Sequence, residues 1–356
     1  MITHIFIADF YHLSVPLIKG IIEHFSMREH FFILYGKHNN DVKEKYLELF
    51  KEKKMENYVF LEDKYSFFQF IKHKNQTHYI MHGTTYYIMA CLVFLKRKVS
   101  WVCWGGSSSI RDNYKSRLSA CIKSFVYRKF SHIVTLMTAD STTLKRDFGV
   151  DSVVIPYYTS TKEENKNLYF KFINDSIIKK TLLPIRVLIG NSAHNMNSYI
   201  ISLSLLKRLN RCVDVHCMMQ YPNISEERMN TFKKQCENVF GKTVTMDTQM
   251  LNSTEYREYI NSFDVYVCAA ESQTGLGAIS TCLSLGKKVF ITGKNYDWTI
   301  SKKNIIYHLD DLKSISEKEF IEPLSAEEKF YNLNNQYVGL DEIKLKWIDF
   351  YNMIDC

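Results

Sequence analysis

The sequence has little of what marks a secreted, membrane-spanning or metal-assembled protein. Five prolines in 356 residues leave few obligatory breaks and no proline-rich linker. Its nine cysteines include no CxxC pair and no zinc-like spacing. Cys103, Cys268 and Cys282 fall inside apolar runs, where a thiol serves as a small hydrophobe. No disulfide framework is implied, and a reducing cytoplasm is expected. The opening "MITHIFIADFYH" reads as a first strand and lacks the charged start and cleavage site of a signal peptide. The longest apolar run, "YYIMACLVFL" at 86–95 before "KRK", is too short to cross a bilayer. An integral span is thereby excluded; lying on a membrane surface is not.

What is present suits an α/β protein of two domains. At this length a second core is expected, and 46% hydrophobic residues argue for a folded chain. The excess of 46 Lys+Arg over 38 Asp+Glu, a net +8, suits a sugar nucleotide, a lipid phosphate or a nucleic acid without choosing among them. A lysine-rich soluble surface accounts for it equally well.

Strand-like runs alternate with helical spacing throughout. "THIFIA", "HFFILYG", "NYVFL", "HYIMHG", "VSWVCWG", "HIVTLM" and "SVVIPYY" form a first series, and "IRVLIGNS", "VDVHCMM", "TVTMD", "DVYVCAA" and "KVFITG" a second. Such alternation predicts parallel sheets covered by helices. Between the series lies a polar, lysine-rich stretch. The expected division is a Rossmann-like domain over 1–160, a linker over 161–184, a second Rossmann-like domain over 185–324 and terminal helices over 325–356. Two such domains facing a cleft would bind ligands at the carboxyl ends of their strands.

One loop poses the functional question. After "DVYVCAA" comes "ESQTGLGAIS". A dinucleotide fingerprint requires GxGxxG on an early strand and an acidic residue about 20 positions on. Here Gly275 and Gly277 are present, the third position is Ser280, and the strand is late in its domain. A dehydrogenase is disfavoured, and a plain tight strand-to-helix turn stays open. On the same expected edge, Gly190, Asn191 and Ser192 end "LIGNS", Tyr221 follows "CMMQ", and Glu271, Gln273 and Thr274 precede Gly275. A pyrophosphate there would meet N–H groups of helix starts and the hydroxyls of Ser192 and Thr274. Tyr221 would flank a base. Few basic residues share these loops, so helix dipoles would supply much of the positive potential.

Taken in order, "HG" at 82–83, "W..WG" at 101–105, "VLIGNS....N" at 187–197, "YP" at 221–222, "Q.G.G" at 273–277 and "YDW" at 296–298 resemble a bacterial glycosyltransferase family. That family, glycosyltransferase family 56, moves 4-acetamido-4,6-dideoxygalactose from dTDP onto an undecaprenyl-linked disaccharide in enterobacterial common antigen synthesis. The resemblance implies a GT-B glycosyltransferase, with the donor nucleotide in the C-terminal domain and the acceptor in the N-terminal one. It adds Asn197 to the donor residues, and Trp104 and Gly105 to the acceptor side. Two departures stand out. Ser107 replaces the family's aspartate after "WG", and Val102 and Cys103 occupy the region where the family has a histidine. A different acceptor or a related dideoxy sugar, as in O-antigen synthesis, follows from them.

Glycosyl transfer needs a stabilised leaving group and, for inversion, a base. No Asp-x-Asp occurs, so a GT-A metal site is absent from the sequence and no obligatory metal or other cofactor is expected. Asp9 and His82, with His12 behind them, are the base candidates at strand ends of the first half. Each histidine could equally cap a backbone group. Glu271 could hold a sugar hydroxyl or cap its helix. Where retaining GT-B enzymes place a glutamate, alignment puts Thr281, so neither retention nor inversion is assigned.

The segment 110–130, "IRDNYKSRLSACIKSFVYRKF", reads as a basic amphipathic helix. Its Arg117, Lys123, Arg128 and Lys129 would adhere to anionic headgroups, although an ordinary core helix has the same periodicity. A polyprenyl-diphosphate acceptor would place the protein peripherally on the cytoplasmic face of the inner membrane, against anionic lipid. Two other functions fit less of the sequence. A nucleotide-sugar 2-epimerase needs carboxylates around the sugar. A nucleic-acid binder needs basic residues interleaved with exposed aromatics.

Overall fold

Unbroken apolar runs such as Ile2–Ile7 and Val265–Cys268 are buried along their whole length, the pattern of strands covered on both faces of a parallel sheet. The computed structural model describes residues 1–25, 29–37, 40–73, 78–83, 86–104, 117–157, 166–178, 184–210, 212–220 and 224–354. The chain divides into two units, Met1–Glu164 with Gly339–Cys356, and Asn165–Val338.

The first unit holds a parallel sheet of β1 (Ile2–Ile7), β2 (His30–Tyr35), β3 (Tyr58–Leu61), β4 (His78–His82), β5 (Val99–Cys103), β6 (His132–Thr135) and β7 (Val153–Val154). Their order is β3-β2-β1-β4-β5-β6-β7. The chain winds outward from β1 in one direction and then restarts at β4 in the other. The crevice between the carboxyl ends of β1 and β4 is therefore the switch point where such sheets bind ligands. Residues including Ile5, Ile33, Phe67, Met81, Met89 and Trp101 form the core on one face.

The second unit repeats the scheme with β8 (Ile185–Ile189), β9 (Val213–Met218), β10 (Thr245–Asp247), β11 (Val265–Cys268), β12 (Lys288–Ile291) and β13 (Tyr307–His308), ordered β10-β9-β8-β11-β12-β13. Its switch point lies between β8 and β11. Valines and isoleucines pointing to one face pack with Tyr199, Leu203 and Phe232. Those pointing to the other pack with Tyr169, Ile279 and Leu283. Both units are Rossmann-like.

The division differs from the expected one at two places. The stretch read as a linker contains a helix, Lys166–Ile178. Its Tyr169 and Ile173, four residues apart, enter the second unit's core with Leu333. Lysines on the other face disguised that stripe. The expected terminal helices part company: Ala326–Asn335 stays in the second unit, while Leu340–Ile354 belongs to the first. Leu340, Trp347, Phe350, Tyr351 and Ile354 are the buried stripe of that last helix, and the Trp347 indole donates to the Pro156 carbonyl at 2.9 Å.

Candidate functional site

At the second unit's switch point the loops after β8 and β11 are tied together. The Thr274 hydroxyl donates to Asn191 Oδ1 at 3.2 Å. Gly275, with φ +66°, lies so close to Asn191 that a Cβ would stand 2.9 Å from its Cγ; a left-handed backbone and this proximity together require glycine. Gly190, φ +69°, is constrained in the same way, since a Cβ there would overlap the Tyr199 ring. That ring's hydroxyl sits between the carbonyls of Ser192 and Met218 and holds the β8 loop against the end of β9. Asn191 and Ser192 are buried.

The loop after β12 completes the arrangement through a residue not singled out in the sequence. Asn295, fully buried, donates to the Thr274 carbonyl at 2.9 Å and accepts from the Thr274 N–H at 3.4 Å. Lys294 beside it donates its backbone N–H to the Glu271 carbonyl at 3.1 Å. Gln273 Oε1 is buried with no hydrogen-bond partner among the described residues. Signals for Asn295 and Lys294 existed in the sequence: "TGKN" ends a strand and opens a helix, as "GNS" and "QTG" do.

The helix starts differ in a way that bears on charge. Helices Met196–Leu206, Leu276–Ser284 and Gly293–Ser301 follow β8, β11 and β12, and none has a side-chain cap. Helices Glu226–Phe240 and Ser253–Asn261, which follow β9 and β10, are capped by Ser225 and by a capping box on Asn252. So the N–H groups left without a side-chain acceptor gather at the switch point, where the helix dipoles favour an anion by about 0.3–1 kcal/mol each. Gly277, in the first turn of Leu276–Ser284, is exposed, with open space where a Cβ would stand. Asn197 and Glu271 are exposed at the same edge.

Two strands over, a cavity of about 300 Å³ opens at the carboxyl ends of β9 and β10. Its lining includes Gln220, Asp247, Thr248, Gln249 and Tyr259. Gln220 is buried, and its amide nitrogen has no partner among the described residues. Burial raises the Asp247 carboxyl, but hydrogen bonds from His216 at 2.9 Å and Tyr259 at 2.6 Å outweigh it and hold the group below the usual range. Tyr221, expected here, lies outside the described residues.

In the first unit the base assignment to His82 is corrected. The residue ends β4 as expected, but its side chain turns into the protein, 0% exposed, and stacks on Phe6 with ring centroids 4.2 Å apart. Both ring nitrogens are engaged, with His4 at 3.0 Å and the Tyr157 hydroxyl at 3.4 Å. Burial lowers its pKa to about 3. An imidazole of that basicity, shielded from solvent, is no general base at neutral pH. Asp9 stands in the short turn after β1 at the switch point; its side chain and that of His12 lie outside the described residues. Trp104 follows β5 and is partly exposed, whereas Gly105 is outside the described residues.

The basic helix is also corrected. Its described part spans Arg117–Tyr127, and the Arg117 side chain is outside the described residues. Lys123 is only 8% exposed, and burial lowers its pKa to about 8. Arg128 donates to the Phe148 carbonyl. It is Ile122, 57% exposed, and Phe125, 54% exposed, that face solvent, with the Lys129 ammonium over the Phe125 ring. Ile122 and Phe125 are on the outer side of this helix, while Lys123 and Tyr127 are buried and Val126 packs against the core. Among the described residues no helix is long and apolar enough to cross a membrane, and no group of three or more His, Cys, Asp or Glu side chains is placed to hold a metal.

Solved structures share this fold at low identity. Anabaena Alr3699/HepE, in complex with UDP and glucose, is 11% identical with a TM-score of 0.68 over 99% of both chains. A glycosyltransferase from Rickettsia africae is 11% identical with a TM-score of 0.64, covering 99% of this chain and 98% of its own. The UDP-GlcNAc 2-epimerase of Neisseria meningitidis, bound to UDP-GlcNAc, is 9% identical with a TM-score of 0.54 over 98% of each. The fold is therefore of the GT-B class, which transferases and epimerases share. Curated protein sequences give no match. The model of the family described as 4-alpha-L-fucosyltransferase, glycosyl transferase group 56, matches residues 20–334, and the chain belongs to that family of glycosyltransferases.

Proposed function

We propose that this glycosyltransferase moves a 4-acetamido-4,6-dideoxyhexose from a dTDP-sugar to an undecaprenyl-diphosphate-linked oligosaccharide in bacterial surface polysaccharide synthesis. The observation that carries the donor half is the gathering of three uncapped helix starts around Asn191, Thr274 and Asn295. A diphosphate seated there is held by backbone N–H groups, and the same groups stabilise the charge that develops as the nucleotide leaves. No bound metal is required in this reading. The cavity beside Gln220 takes the thymine, whose carbonyls match the unpartnered amide nitrogen. Gln273 and Glu271 face the sugar side.

The acceptor falls to the first unit, with Trp104 at the carboxyl edge of its sheet and Asp9, with His12 behind it, as the remaining candidate bases. Ile122 and Phe125 enter the headgroup region of the inner membrane's cytoplasmic face, with Lys129 on anionic lipid. An epimerase is the lesser reading, because the carboxylates named at this edge are Glu271 and Asp247, and Asp247 is engaged by His216 and Tyr259 in the cavity assigned to the thymine.

The test is incubation of purified protein with dTDP- and UDP-linked 4-acetamido-4,6-dideoxyhexoses and an undecaprenyl-diphosphate disaccharide, with product identified by mass spectrometry. Sugar transfer from the dTDP donor is expected. Sugar epimerised at C2 without transfer would replace this reading by the epimerase one.

A further inference from the structure

Four hydrogen bonds, three of them buried and the last partly so, run in series through the first unit. His30 Nε2 lies 2.9 Å from the Phe25 carbonyl, His30 Nδ1 2.9 Å from His4 Nε2, His4 Nδ1 3.0 Å from His82 Nε2, and His82 Nδ1 3.4 Å from the Tyr157 hydroxyl. The series ends where the Trp104 indole N–H donates to the Tyr157 oxygen. The two ends dictate every proton between them. A carbonyl only accepts, so His30 carries its proton on Nε2. An uncharged ring then accepts at Nδ1, and the same choice is forced on His4 and His82. Burial keeps both His4 and His82 well below the ordinary imidazole range, so these two rings are uncharged. At the far end the indole only donates. With all three rings uncharged, Tyr157 donates its own proton to His82 and offers its oxygen to Trp104.

The surroundings hold this geometry in place. The Trp347 ring lies parallel to Tyr157, 6.2 Å away and 9° from coplanar, and Tyr351 contacts His4 and His30 edge-on. On the other side the Trp104 ring lies flat against Gly83, where a Cβ would stand 3.0 Å from it, and meets the Phe10 ring edge-on at 5.8 Å. The indole thus reaches from the end of β5 across the end of β4 towards β1, over the switch point of this sheet, and stays partly exposed.

We infer that Tyr157 is a positioning residue, which locks the Trp104 ring as a flat apolar platform for one sugar ring of the acceptor. This rests on the reading that the first unit takes the acceptor. A pyranose presents a face of C–H groups that suits the surface of an indole, while its hydroxyls point to the rim, where solvent or polar groups meet them. Three buried histidines in a row are costly unless each is satisfied. Their common direction makes the Tyr157 oxygen an obligate acceptor, and that oxygen fixes a ring which would otherwise turn about two side-chain bonds.

The experiment uses the full chain, a dTDP-4-acetamido-4,6-dideoxyhexose donor and an undecaprenyl-diphosphate disaccharide, with Tyr157→Phe, Trp104→Phe and the double variant. Tyr157→Phe removes the lock and keeps the platform; Trp104→Phe keeps one aromatic ring but removes the N–H together with the five-membered ring of the indole. Each single variant is expected to raise the acceptor KM about tenfold, the scale of one buried hydrogen bond, with donor KM and kcat little changed. The double variant is expected to be no worse than either single one. Acceptor is also expected to quench tryptophan emission in the wild type and not in Trp104→Phe. If Tyr157→Phe fails to fold, Trp104→Phe gives the same readout alone. Wild-type transfer combined with an unchanged acceptor KM in a folded variant overturns the positioning role and leaves the transferase reading standing. A wild type that transfers to no saccharide acceptor overturns both.

Discussion

Asn191 and Thr274 are 83 positions apart in the chain and joined side chain to side chain at 3.2 Å. One ends the loop after the first strand of the second unit, and the other precedes the helix after the fourth. Their meeting joins the two loops that flank the switch-point crevice, and Asn295 fixes the Thr274 backbone from a third strand end. The helices after β8, β11 and β12 start at this edge without side-chain caps.

Asn295→Ala removes two hydrogen bonds to one backbone unit and leaves buried polar groups unmatched, a loss of about 1–3 kcal/mol. The expected outcome is about a tenfold to hundredfold weaker affinity for dTDP by isothermal titration, with the far-ultraviolet spectrum unchanged.

Gly275→Ala forces a Cβ to within 2.9 Å of Asn191 and adds about 1–2 kcal/mol for the left-handed backbone. Donor KM is expected to rise, and the Asn191–Thr274 contact to part in a crystal structure of the variant. Gly277→Ala, where a Cβ meets open space, is expected to be tolerated unless the diphosphate occupies that space; inhibition of dTDP binding by this mild change would map the phosphate to the first helical turn.

Stability should depend on pH through the buried histidines. Burial lowers His82 to about 3 and His78 to about 4, and lowers His4 as well. Between those values and the unfolded value near 6.5 the unfolded chain binds more protons, so stability rises with pH across this window. It is complete above about 6.5 and is lost as pH falls, by up to about 1.4 kcal/mol per histidine per pH unit. Urea midpoints at pH 5 should lie below those at pH 7.5, and Tyr157→Phe should leave the slope in place.

Membrane association is expected to follow the apolar side chains. Ile122→Asp with Phe125→Asp should abolish flotation with vesicles containing anionic phosphatidylglycerol. Lys123→Met should leave it intact, because that lysine is buried.

Chelation should leave transfer unaffected. Turnover in excess EDTA equal to turnover in magnesium is the expected result; loss that magnesium restores would contradict the metal-free reading.

The alternation of runs made both sheets legible, because strands buried on two faces read as continuous apolar stretches. The loops at Gly190–Ser192 and Gln273–Gly275 were legible as strand-to-helix turns of one edge. Side-chain direction was not. His82 sits at a strand end, where the pleat alone decides whether a ring faces the ligand or the core, and here it faces Phe6. Lys123 shows the same limit: a helix with apolar residues over most of its girth does not announce which side is covered. Asn295 shares the strand-to-helix turn pattern in "TGKN", but its role as a clamp on a backbone 21 residues away is not written in that spacing.

Isothermal titration of dTDP, UDP and NAD into the wild-type protein and Asn295→Ala, with EDTA present, tests the diphosphate site most directly. Binding of dTDP to the wild type, weakened in the variant, with no heat from NAD, is the predicted result. Binding of NAD in place of dTDP, or dTDP affinity unaltered by loss of the Asn295 clamp, would contradict the account.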